Sequence, residues 1–257
     1  MAVRNPLRRR LSPSKNPDGS MTLVEHLAEL RRRLMVSMLA VGAGGLMCWI
    51  FYESILTFLE HPLCKALRGQ GGLGGCHLYI FSPLDPLAIR FKVSAYGGLA
   101  LALPVVLYQL WRFVTPGLNP KERRYVVPFI LASMGFFGFG AFMAWLTFPH
   151  ALAWLTGIGG HSLQPLYSPT NYLSLILILM LVFGIAFEFP VVLVSLEVAR
   201  VLTPAKLSTW RRWVIVAITA FAAVATPSSD PFSMLGMMIP MYLFYEIAIL
   251  VGKLLKR

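Results

Sequence analysis

YLSLILILMLVFGIAFEFPVVLVSL, residues 172–196, holds one charged side chain, Glu188. An apolar run of about 20 residues reads as a membrane-spanning helix, because lipid offers no partner to an unpaired backbone amide and a helix satisfies its own. Five further runs flank it: 34–51, 93–111 and 125–148 before it, then 213–226 and 232–252 after it, the last with Glu246 inside. The composition agrees, since 57% of the 257 residues are hydrophobic and 13% charged, about half the charge of an ordinary soluble domain. The expected fold is all-α: a polytopic membrane protein whose six transmembrane helices form one domain over residues 21–257. A basic leader at 1–20 precedes it, expected to be mobile from its prolines and glycine, and Met21 is an alternative start. The first run is too long for a cleavable signal peptide and no small-residue cleavage site follows it.

The net charge of +12 would by itself suit a polyanion. A nucleic-acid surface gathers its basic residues on one face. Here they fall in short clusters between apolar runs, so no nucleic acid is expected as a partner. Their distribution sets topology instead. The N-terminal segment, the second and fourth connections and the tail hold 19 of the 23 lysines and arginines, whereas the first connection holds four and the third and fifth none. Both termini are therefore expected on the cytoplasmic side.

The connections carry helix-start chemistry. In Asn119-Pro120-Lys121-Glu122 the asparagine reads as N-cap, the proline as the first helical residue and the glutamate as the third. Thr203-Pro204 and Ser82-Pro83-Leu84-Asp85 read the same way. The fifth run, 213–226, is short. At ~1.5 Å per residue it reaches about 21 Å against a hydrocarbon core of ~30 Å, so a thinned bilayer or a buried helix is expected there.

Neither a zinc-binding HExxH, a nucleophile elbow nor a glycine-rich phosphate loop occurs. No catalytic residue, metal or cofactor is expected. The five histidines are scattered, and Gly42, Gly45, Gly135, Gly138 and Gly140 suit helix packing. A small-solute transporter would show paired repeats with interrupted helices, and an intramembrane protease would need a nucleophile and base at one depth. Neither pattern is present.

Carboxylates in unusual places remain. Glu188, inside its span, costs roughly 2.5–3.5 kcal/mol to insert, so it is expected to face another helix, a cavity or a partner. Pro190, two residues on, disturbs the local helix hydrogen bonds. Glu246 is expected to reach the interface or to pair with Lys253 or Arg257, and Asp230 to cap the sixth helix. Glu29 sits four residues before Arg33, the spacing of a helical ion pair. Cys64 and Cys76 flank a glycine-rich outer connection and are a candidate disulfide, although spacing alone favours two free thiols.

HLAELRRRL (26–34), LYQLWRFVTPGLNPKERR (107–124), FGIAFEFPV (183–191) and IPMYLFYEI (239–247) occur in this order. Together they resemble the TatC family, the signal-peptide receptor subunit of the twin-arginine protein translocase, over nearly the whole chain. The resemblance implies a cup-shaped six-helix bundle in the bacterial cytoplasmic (inner) membrane. It implies as partners TatA-like and TatB-like single-span proteins, twin-arginine signal peptides of folded cargo, and further copies of this chain. Transport would draw on the proton-motive force. By position, Glu29 and Glu122 would be the signal-binding carboxylates, with Arg31, Phe113 and Gln109 beside them. Pro62 and Asp230 would match positions used in transport and Glu188 the intramembrane glutamate that meets a partner. TPSSD has one residue more between proline and aspartate than the family's TPPD form.

Overall fold

The computed structural model describes residues 23–68, 78–114, 126–158, 167–198, 201–226 and 230–255. Among the described residues there are eight helices and no strand: α1 (Leu23–Ile50), α2 (Tyr52–Arg68), α3 (Asp85–Val114), α4 (Val126–Ile158), α5 (Pro169–Ala186), α6 (Phe189–Val198), α7 (Pro204–Ala225) and α8 (Pro231–Leu255). Six spans are long and apolar enough to cross a membrane, with α5 and α6 together making the fourth. Each contains or closely matches one of the apolar runs.

The fifth span corrects the expectation. α7 runs for 22 residues, about 33 Å at the α-helical rise, so it needs no thinned bilayer. The apolar run ends at Arg212, but the helix starts upstream, where the Thr203 hydroxyl accepts the Lys206 amide and Pro204 fills the first turn. Arginines near a span's end carry their charged heads to the polar interface without interrupting the backbone. Likewise Asp85 accepts the Ser82 amide at 3.1 Å, which fixes the start of α3.

α2 has no counterpart among the apolar runs. Its Leu59, Pro62 and Leu63 are buried while Glu53, Thr57 and His61 are exposed, and it packs on α3 and α4 outside the spans. Half of the α5–α6 span is buried against 6% of α1, which places the former at the centre and the latter at the edge. Leu173, Ile176, Leu179 and Phe183 of α5 meet Phe148 of α4 and Met237 of α8 in the core.

α1 lies along α3. A Cβ on Gly98 would stand 2.5 Å from the Gly45 nitrogen and 2.8 Å from the Val41 oxygen. Only glycine permits that approach, and it brings the basic ends of α1 and α3 side by side. At the centre, α5 stops after the Glu188 amide reaches back to the Ile185 carbonyl at 3.1 Å. Pro190 has no amide to continue the ladder, and α6 resumes with Val192 bonded to the Glu188 carbonyl at 3.0 Å.

Candidate functional site

The α1–α3 crossing builds a cleft of about 180 Å³ at the basic ends of the two helices, lined by Glu29, Arg32, Arg33, Val36, Gln109 and Arg112. One turn along α1 separates Glu29 from Arg33, and the Arg33 Nη2 donates to the Glu29 Oε1. Arg33 Nη1 donates to the Gln109 carbonyl at 3.3 Å, which ties the pair to α3. The two side chains are 25% and 12% exposed, Glu29 and Arg33 respectively. Glu29 Oε2 and Arg33 Nε are buried without a hydrogen-bond partner. Beside the cleft, the His26 ring stacks on Phe113 with centroids 4.4 Å apart.

The expected residues divide accordingly. Glu29, Gln109 and Phe113 come together through the α1–α3 contact. Arg31 is exposed and does not line the cleft. Glu122 lies outside the described residues. The Glu29–Arg33 pair follows from helical spacing, whereas the tie to Gln109, the lining Arg112 and the His26 stack had no sequence signal, since each depends on which helix packs beside α1. Chemically, the cleft holds one carboxylate oxygen that is already engaged and one that is buried and unpartnered, under a rim of guanidinium groups.

Glu188 occupies the break between α5 and α6. Ser133 of α4, 1% exposed, lies beside its carboxyl group, and its Oε1 is buried without a hydrogen-bond partner. The carboxylate therefore faces α4 and retains an unused acceptor. Asp230 is fully buried, and its Oδ1 accepts the Ser233 amide at 2.6 Å as the cap of α8. Glu246 departs from expectation. Its Oε2 accepts Arg211 of α7 at 2.7 Å and its Oε1 accepts the Tyr242 hydroxyl at 3.2 Å. The neighbouring α7, invisible in local spacing, supplies the cation in place of Lys253.

At the opposite end, Pro62 is buried inside α2. Burial and the nearby Glu53 carboxylate push Glu60 above the ordinary carboxylate range. Cys64 is disulfide-bonded and Cys48 is a buried free thiol. Cys76 lies outside the described residues. Among the described residues no three His, Cys, Asp or Glu side chains are grouped to hold a metal ion.

Comparison with known proteins gives a consistent result. The family profile described as "Sec-independent protein translocase protein (TatC)" matches residues 25–240. The Sec-independent protein translocase protein TatC of Frankia casuarinae is 40% identical, over 96% of this chain and 71% of its own length. That of Aquifex aeolicus is 38% identical over 92% of this chain and 97% of its own. The crystal structure of a twin arginine translocase receptor, TatC, superposes with a TM-score of 0.73 at 38% identity, covering 91% of this chain and 100% of that one.

Proposed function

This chain belongs to the TatC family, and from that premise we propose how its residues serve as the receptor subunit of a twin-arginine translocase. It is a multi-pass membrane protein that takes part in protein transport rather than an enzyme. In our reading the α1–α3 cleft faces the cytoplasm of a bacterial inner membrane, the side to which the lysines and arginines point. There it takes the paired arginines of a signal peptide, with Glu122 as a second carboxylate and Arg31 at the rim.

The observation that carries this reading is the Glu29 Oε2, buried and unpartnered among arginines. A basic rim repels a basic peptide at long range, so binding must come from short-range bonds made after contact. An arginine presents planar donors that match a carboxylate, whereas a lysine is a strongly hydrated point charge. A buried acceptor without a donor costs about 1–3 kcal/mol, which a guanidinium on Oε2 would recover. The Phe113–His26 stack supplies an apolar surface beside it.

Elsewhere, Glu188, half-buried at the break between α5 and α6, meets a polar group of a TatA-like or TatB-like single-span helix. Pro62 and Asp230 shape the opposite face for transport. Several copies assemble with those partners, and the proton-motive force drives export of folded cargo. Co-purification of the full chain with a precursor bearing a twin-arginine signal tests the receptor reading. Retention of the precursor, lost when both arginines become alanine, is expected. Equal retention of the two would refute it.

A further inference from the structure

Arg33 does what the incoming ligand would have to do. Its guanidinium already occupies Oε1 of Glu29, and its other terminal nitrogen holds the Gln109 carbonyl at 3.3 Å. A planar ligand guanidinium bonds most strongly when its fork takes both carboxylate oxygens. In this structure Arg33 already draws on one of them. We propose that Arg33 is an internal competitor for Glu29, a residue that holds down the affinity of the cleft and that an incoming arginine must displace. The proposal rests on the reading of Glu29 as the signal-binding carboxylate.

The geometry decides which ligand meets the competition. A lysine ammonium reaching Oε2 makes a single bond and leaves Arg33 in place among Arg32 and Arg112, so it adds a cation to a crowded rim. An arginine that takes the fork swings Arg33 out, which frees the Gln109 carbonyl as a further acceptor for the peptide. Arg33 also carries a Nε that is buried without a partner in the resting cleft. Outside the cleft this group regains water, which lowers the cost of displacement. A competitor lowers the apparent affinity of a ligand that must displace it by the fraction of clefts left open, whereas a ligand that binds beside it escapes that factor.

The test uses the full chain in lipid nanodiscs at fixed salt. The ligands are two synthetic peptides that share an apolar stretch, one beginning with paired arginines and one with paired lysines. Arg33→Gln is expected to bind the arginine peptide about tenfold tighter, the equivalent of one displaced charge-assisted bond. The lysine peptide, which binds without displacing Arg33, should gain less, so that discrimination widens. Arg33→Lys keeps the charge but lacks the fork and should also bind tighter. Arg32→Gln removes the same charge without touching Glu29 and should gain little. Folding is monitored by membrane abundance, and the conservative Arg33→Lys variant keeps the test valid if Arg33→Gln fails to insert. Unchanged or weaker binding in Arg33→Lys overturns the proposal, as do equal gains in Arg33→Gln and Arg32→Gln. A separate outcome concerns the underlying reading: if Glu29→Gln in the otherwise natural chain binds the arginine peptide normally, Glu29 is not the signal-binding carboxylate.

Discussion

The hydroxyl of Tyr172 stands inside the backbone ladder of α2, where it accepts the Leu63 amide at 3.2 Å and donates to the Leu59 carbonyl at 2.7 Å. In an unbroken helix that amide and that carbonyl would bond to each other. Pro62 lacks an amide and its ring crowds the carbonyl four residues back, so the turn opens and a side chain from α5 fills it. Tyr172, Leu59 and Leu63 are all buried.

Removing the hydroxyl should therefore cost more than one ordinary hydrogen bond. Tyr172→Phe is expected to lower the unfolding midpoint in detergent by the equivalent of about 1–3 kcal/mol, the range for stranded buried polar groups. The Leu63 amide should exchange faster with solvent. In a Pro62→Ala background the ladder can close directly, so the same substitution should cost less. Equal losses in the two backgrounds would show that Tyr172 and Pro62 act independently.

Glu60 on α2 gives a pH signature. Its folded-state carboxyl titrates above the ordinary range through burial and the neighbouring Glu53. A raised folded pKa favours the protonated form, so the contribution to stability is fully present below the unfolded pKa, about 4.3. It is lost as pH rises through the folded value. Glu60→Gln should match the natural chain near pH 4 and become the more stable of the two at neutral pH. A difference that does not change with pH would contradict this.

For Glu188 the contrast is between an amide and an alkyl group. Glu188→Gln keeps a group that can hydrogen-bond and should keep most partner recruitment. Glu188→Leu should lose it about tenfold, in line with an intramembrane bond worth ~1–2 kcal/mol, while precursor binding stays intact. Site-specific crosslinking to a TatA-like or TatB-like helix reads this directly, and normal recruitment by the Leu variant would end the idea.

Cys64 is disulfide-bonded, and we propose Cys76 as its partner across the glycine-rich segment. Closing so short a loop contributes about 3 kcal/mol on the chain-entropy account. Maleimide labelling of the unreduced, denatured protein should modify Cys48 and spare the other two. Labelling of all three cysteines would rule the bridge out.

Much of this architecture was legible because lipid makes long apolar runs unambiguous. The Thr203 and Asp230 caps were local enough to read from their own turns. α2 escaped because Glu53, Glu60 and His61 interrupt the apolar run along the sequence and the helix does not cross the membrane. The start of α7 was hidden because hydropathy falls at Arg212, eight residues after the backbone becomes helical at Pro204. The partner of Glu246 and the tie from Arg33 to Gln109 join residues 35 and 76 positions apart. Only helix packing decides such pairs. The grouping of Glu29 with Gln109 and Phe113 came from family resemblance, since neither charge nor spacing links the two segments.

The central claim is that Glu29, with Glu122, holds the paired arginines of a signal peptide. Its most direct test is crosslinking of a twin-arginine precursor to the Glu29→Lys and Glu122→Lys variants at fixed salt, with membrane abundance as the control. Each reversal replaces an attraction with a repulsion in a rim that is already basic, so precursor binding should fall by at least about tenfold at undiminished abundance. Normal crosslinking by both variants would mean that these carboxylates are structural, with Glu29 serving Arg33 alone.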